Sequence, residues 1–292
     1  MSNLYLAIFY SIISLFGSGL NNGIAKKYTK TIGPTKLIVY RNIFMVTALF
    51  IFLLLSIGSA TFDIKYMIGA FLLSSFSYFG LFFFYKGLVI GKVGIVAPLS
   101  SSRIIISSLI GIILLNEVLT AWQFIIVCII FIGTIIISIN VGSIRQSAIL
   151  DKKSGVNYAI LAALVWGITF PFFSYFSQKL GVLLFALILE SAVLFMSSMQ
   201  TILSKEQIGA NKKLVRRNLV GIILLGITGL IGSLFMNFGY ETGQISITTA
   251  ITGANPMVST IYAMIVYKEK LCKQQTFAIF LIIGGIVALS LI

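Results

Sequence analysis

Tyr85-Lys86-Gly87-Leu88-Val89-Ile90-Gly91-Lys92 opens a segment that the chain contains twice. Residues 85–140 align without a gap on residues 237–292. Gly87, Gly91, Glu117, Gln123, Gly133 and Ser138 fall on Gly239, Gly243, Glu269, Gln275, Gly285 and Ser290, each 269 − 117 = 152 residues later. The two copies differ in where their cations lie. In the first, the turn at Lys86 and Lys92 is basic and the turn around Glu117 is not. In the second, the turn at Glu241 and Gln244 lacks cations, and Lys268, Lys270 and Lys273 crowd the next one. Basic loops stay in the cytoplasm, so the copies insert in opposite senses. Inverted repeats in an apolar chain imply a secondary transporter, with its substrate site at the repeat interface near mid-membrane.

Composition places the chain in the bilayer. Hydrophobic residues are 59%, charged residues 10% and the mean hydropathy is +1.08, a balance that leaves too little polar surface to cover a water-soluble domain of 292 residues. The net charge of +14 resides in short loops between apolar runs, where topology explains it, and it forms no stripe for nucleic acid. Cys128 and Cys272 stand at unrelated positions, so neither a disulfide framework nor a metal site is expected. The chain has no histidine, so any proton coupling falls to carboxylates. No cofactor is implied.

Windows of about 20 residues give ten spanning segments. They run near 4–24, 35–57, 64–86, 93–115, 119–140, 156–178, 181–203, 217–240, 245–267 and 273–291. The first is too long for a removable signal peptide and lacks its basic start. The expected fold is an all-α integral membrane protein of ten transmembrane helices, arranged as two inverted five-helix repeats around a central cavity. Residues 1–141 form the first repeat, 142–155 the linker and 156–292 the second. Lys26, Lys27 and Lys30, then Lys86 and Lys92, Arg145, Lys152 and Lys153, Lys205 to Arg217, and Lys268 to Lys273 all fall in odd-numbered loops. Lys65 and Lys179 are almost alone in the even ones. The odd loops are therefore predicted to be cytoplasmic and both termini outside, in a multi-pass cell-membrane protein.

Polarity differs between spans. Span four carries Ser100, Ser101, Ser102, Arg103, Ser107 and Ser108. Its repeat partner, span nine, carries Ser246, Thr248, Thr249, Thr252, Asn255, Ser259 and Thr260. These residues either line a hydrated interior or bond to their own backbone as small packing residues. Because repeat partners share them, a lined cavity is the expectation. Spans five and ten are nearly all aliphatic, and they face lipid or form a homodimer.

The run from Lys86 to Pro98 followed by Glu117, Gln123 and Gly133 resembles the EamA-type repeat of the drug/metabolite transporter superfamily. So does Asn255-Pro256 through Glu269, Gln275 and Gly284-Gly285. Trp166-Gly167 matches a pair frequent in the first helix of that repeat, Phe16-Gly17 stands in its place in the first half, and Arg41 falls where many relatives have an arginine. The resemblance implies a ten-helix basket with a central cavity that works by alternating access. It implies no substrate. The sequence departs from the pattern around Arg103, a region of the helix where the proline represented by Pro256 in the second half is missing, and at Phe16, where relatives often have Trp.

Two ionisable residues lie near mid-membrane, Arg103 in span four and Glu190 in span seven. A charge there costs about 2.5–3.5 kcal/mol on insertion scales, so each needs a partner or water. They form either a structural ion pair or a site in which Arg103 offers a fork to a carboxylate or phosphate and Glu190 attracts a cation or carries a proton. Arg41, nearer the cytoplasmic end of span two, can snorkel to the headgroups as Lys86 does. Glu117 and Glu269 sit at span ends, where structural contacts are expected. Tyr78, Tyr85 and Trp166 combine a flat ring with a polar tip and join Ser102 and Asn255 as candidate substrate contacts. Pro98 and Pro256, inside spans four and nine, are candidate hinges.

The reading is a secondary transporter of small polar or zwitterionic, amino-acid-like metabolites. Its partners are a small-molecule substrate and the lipid bilayer. The alternatives are a flippase for lipid-linked substrates, using interfacial Arg216 and Arg217, and an intramembrane enzyme. The chain contains no nucleophile motif, zinc motif or paired Asp for the enzyme.

Overall fold

A single glycine at φ 94°, Gly33, turns the chain back between its first two helices, and Pro34 then starts the second with a ring already fixed at helical φ. Gly181, at φ 82°, makes the same corner in the second half. The computed structural model describes residues 2–56, 58, 60–91, 93–138, 155–204, 212–268 and 271–291. The described residues form helices and no strand: α1 (Ser2–Ile32), α2 (Pro34–Leu55), α3 (Ile64–Ile90), α4 (Val93–Ser101), α5 (Arg103–Leu114), α6 (Ala121–Ser138), α7 (Val156–Leu180), α8 (Val182–Leu203), α9 (Lys212–Arg217), α10 (Leu219–Thr242), α11 (Ile245–Gly253), α12 (Pro256–Val266) and α13 (Lys273–Ser290).

Seven of these, α1, α2, α3, α7, α8, α10 and α13, are long and apolar enough to cross a membrane alone. The three remaining spans are α6, just short of that length, and two composites, α4 with α5 and α11 with α12. The ten expected crossings are thus present. Two boundaries differ from expectation. α1 continues to Ile32, with Lys30 in its last turn, and α3 continues past Lys86 to Ile90. Spans four and nine were expected as continuous helices, but each is broken at its centre. The linker at 142–154, Lys205, Gly209 and Glu269 lie outside the described residues.

Helix contacts obey a pseudo-two-fold relation. Span one packs on span eight as span six packs on span three, while spans two and seven, and spans five and ten, pair with each other. Side-chain detail follows the same relation. A Cβ on Gly133 of α6 would stand 2.8 Å from Ile282, and one on Gly285 of α13 would stand 2.6 Å from Ile130, the repeat mate of Ile282. With five spans per half, equivalent helices are separated by an odd number of crossings, so the halves are inverted. Trp122, Phe124, Phe277 and Phe280 on the outer faces of spans five and ten are exposed, as are Phe50, Leu54 and Leu55 of α2. Such a belt is what lipid tails cover.

The repeated glutamines cap helices. Gln123 Oε1 accepts from the Thr120 amide at 3.0 Å while Thr120 Oγ1 accepts from the Gln123 amide at 3.2 Å. In the second half Cys272 and Gln275 form the matching box. Each satisfies orphan N–H groups at the start of span five or ten.

Candidate functional site

A cavity of about 150 Å³ lies at the centre of the bundle. Every span except five and ten contributes to its wall. Polar groups come from Asn21 and Asn22 of α1, Arg41 of α2, Ser77 of α3, Ser100 of α4 and Arg103 at the start of α5. The second half supplies Glu190 of α8, Ser233 of α10 and Asn255 at the break of span nine, with Trp166 and Phe170 of α7 as an aromatic face.

The two breaks bring the central residues there. In span nine, Pro256 has no N–H to offer the Thr252 carbonyl. The Asn255 amide and Nδ2 take its place, donating to that oxygen at 3.3 and 2.9 Å, and Asn255 Oδ1 is left to accept from Asn22 Nδ2 at 3.0 Å. In span four the turn tightens in the same way: the Ser102 amide donates to Leu99 O at 3.2 Å and the Ile105 amide to Ser102 O at 3.1 Å. Pro256 therefore stands at the first position after a break. Pro98 sits inside α4, about one turn before the other break.

The structural-pair alternative for Arg103 and Glu190 is not what the side chains make. Glu190 Oε2 accepts from Asn42 Nδ2 at 2.7 Å and faces Arg41 Nη2 at 3.9 Å, with all three residues buried. The expectation that Arg41 snorkels is corrected accordingly. Its Nη1 donates to the Tyr85 hydroxyl at 3.2 Å and its Nε to Asn42 Oδ1 at 3.1 Å, a set of acceptors that the interior supplies and a headgroup is not needed for. Arg103 makes no ion pair among the described residues. Its guanidinium carbon lies 5.6 Å from the Trp166 ring centre and 5.2 Å from that of Phe170, and its Nε is buried without an acceptor.

Of the other expected contacts, Trp166 and Asn255 reach the cavity. Tyr85 stands behind Arg41, and Tyr78 bonds through its hydroxyl to Gln200. Ser102 returns its hydroxyl to Leu99 O at 2.7 Å. Of the serines and threonines of spans four and nine expected to line the interior, Ser100 alone borders the cavity, and its hydroxyl too bonds to backbone, at Ala97 O at 2.6 Å. Ser101 bonds to Ala97 O, Ser107 to Gly167 O, Thr252 to Thr248 O and Ser259 to Pro256 O, because a hydroxyl in an apolar bundle finds its nearest acceptor in a backbone carbonyl. The reading missed Asn21, Asn22, Asn42, Ser233 and Phe170. The asparagines carried a signal, since an amide inside an apolar run needs a partner as a charge does.

Glu117 is structural, as expected of a residue at a span end. Its carboxylate accepts from the amides of Ile245 and Ser246 and, at 2.6 Å, from Ser246 Oγ. It thereby caps the first turn of α11, in the opposite half of the molecule.

A profile of EamA-like transporters matches residues 5–139 and again residues 153–291. The chain belongs to this family. As an EamA-type member of the drug/metabolite transporter superfamily it is a multi-pass membrane transporter, and transporters rather than enzymes make up that family. No curated protein matches the sequence. Among 29 matching solved chains is a crystal structure of a protein that is 17% identical, with a TM-score of 0.76 over 100% of this chain and 99% of the other. At that identity the likeness is one of fold.

Proposed function

We propose that this EamA-type protein moves small polar or zwitterionic, amino-acid-like solutes across the cell membrane by alternating access. The observation that carries the reading is the cavity, because it lies where the two inverted repeats meet and gathers charged and amide groups that an impermeable bundle would have no reason to bury. The broken spans four and nine support the mechanism. Their halves meet at turns with fewer backbone bonds, so each half can tilt without unwinding the other. Pro98 and Pro256 are the proposed hinges, and Ser102 and Tyr78 contribute through the backbone and helix positions they hold.

A stability screen of the purified protein against a metabolite library, followed by uptake of each hit into proteoliposomes, tests this. A small water-soluble solute that raises the melting temperature and is taken up is the expected result. Stabilisation by polyprenyl-phosphate lipids with no response to soluble metabolites would favour the flippase instead.

A further inference from the structure

The cavity wall carries two guanidinium groups, of Arg41 and Arg103, and one carboxylate, of Glu190. These charges are unequally satisfied. Glu190 receives the Asn42 amide at 2.7 Å and faces Arg41 at 3.9 Å, so that cluster is neutral as a unit. Arg103 is left with its charge. No carboxylate stands within ion-pair distance of it among the described residues, and its Nε has no acceptor although the residue is only 5% exposed. The faces of Trp166 and Phe170 attract the cation, but they cannot accept the planar N–H fork. A buried charge without a partner is costly. The missing partner is an acceptor with one negative charge, and the cavity that Arg103 lines is where it can be placed.

We infer that Arg103 is the receptor for an anionic group of the solute, and that the cavity takes solutes with one net negative charge, borne by a carboxylate. This rests on the transport reading and narrows it to the anionic among its polar solutes, leaving the zwitterionic ones out. A zwitterion of zero net charge leaves the excess cation uncompensated, and a phosphomonoester, at about −1.5 to −2, overshoots it. A carboxylate matches both the single charge and the fork. The size fits as well: a cavity of about 150 Å³ is on the scale that admits a benzene-sized molecule, and the Trp166 and Phe170 rings offer an apolar wall for the rest of the solute.

Trp166 supplies the readout. The chain has two tryptophans, and Trp122 is exposed on the outer face of span five, so Trp122→Phe leaves Trp166 as the reporter beside Arg103. The probes are propionate and benzoate, their amides propionamide and benzamide, L-alanine, and inorganic phosphate, titrated at constant ionic strength. The expected result is a saturable change in emission with at least one carboxylate, at least about tenfold weaker with its amide, with L-alanine and with phosphate, given that tenfold is the size of one lost charge-assisted bond. Arg103→Gln should abolish the response and Arg103→Lys should weaken it several-fold. Equal binding of acid and amide, tighter binding of phosphate, silence with both carboxylates, or a response that survives in a folded Arg103→Gln protein overturns the inference. The charge series in the unsubstituted cavity decides even if the variants do not fold. A response without flux of any solute into proteoliposomes removes the transport reading and leaves the receptor. Flux of neutral or zwitterionic solutes that is unchanged in Arg103→Gln does the reverse.

Discussion

Arg103 and Asn255 occupy one position of the repeat, 255 − 103 = 152 residues apart, and each stands at the break of its span on the wall of the same cavity. The architecture is symmetric there and the chemistry is not. One half presents a cation, and the other an amide that is consumed in repairing its own backbone. Replacing Asn255 by Ala removes the Nδ2 donor from the Thr252 carbonyl and the acceptor from Asn22. The half-buried Asn22 amide loses its acceptor and the Thr252 carbonyl keeps only the longer bond from the backbone amide of residue 255, a loss of about 1–3 kcal/mol before water or neighbours adjust. Denaturation in detergent should show a loss in that range, and uptake should fall with it. Wild-type stability in Asn255→Ala would mean that the break does not depend on the amide.

Glu190 and Arg41 provide a second test. Glu190→Gln leaves the Arg41 guanidinium short of its counter-charge, and Arg41→Met leaves the Glu190 carboxylate buried with only the neutral donors Asn42 and Ser233. Breaking a buried pair from one side costs about 3–5 kcal/mol, whereas removing both charges together restores much of it. Melting temperatures should therefore fall steeply in each single variant and recover in Arg41→Met with Glu190→Gln. Combining Glu190→Gln with Arg103→Met should give no such recovery, since those two residues are not partnered. Recovery in the Arg103 combination alone would restore the pairing that the side chains do not make.

The repeat, the ten crossings and the inverted halves were legible in the sequence because each depends on hydropathy and spacing, which a linear chain displays directly. Arg103 and Glu190 were legible as residues that need a polar interior, since their depth alone demands one, and both line the central cavity together with Trp166 and Asn255. Their pairings were not legible. Which carboxylate meets which guanidinium depends on how far α2 and α8 rotate toward each other, and Asn42, the residue that joins them, looks like any isolated amide until the helices are packed. The span breaks were half legible. Pro256 announces one, but the matching break at Ser102 has no proline and follows from the symmetry of the packing. The hydroxyls of spans four and nine misled because a serine aimed at a cavity and one bonded to the preceding turn read alike.

Glu117 joins the loop after span four to the start of span nine. Its two oxygens satisfy backbone N–H groups of Ile245 and Ser246 at the positive end of the α11 dipole, and Gln244 Nε2 adds a bond to Val118 O at 2.7 Å. Glu117→Ala removes the cap, and the expected cost is about 1–2 kcal/mol, the upper part of the range for helix caps. Hydrogen exchange at the Ile245 and Ser246 amides should accelerate more than at amides in the middle of α7. Unaltered exchange at those two positions would show that water or another group replaces the carboxylate without loss.

The last expectation concerns orientation. Lys26, Lys27 and Lys30 end span one, and Arg216 and Arg217 precede span eight, both exposed. Each cluster falls in an odd loop, so cation retention puts those loops in the cytoplasm and both termini outside. Impermeant thiol reagents can read this from single cysteines, once Cys128 and Cys272 are replaced. Cys272 caps span ten, and Thr is the suitable replacement because Thr120 performs the same role in the first half. Cys128, free and half-buried among aliphatic neighbours, takes Val. A cysteine added after Ile292 should label in intact cells, and one at Gly209 should label only after permeabilisation. The opposite pattern would reverse the molecule in the membrane and exchange the inner and outer sides assigned to Glu117 and to Lys86, while leaving the cavity and its residues where they are.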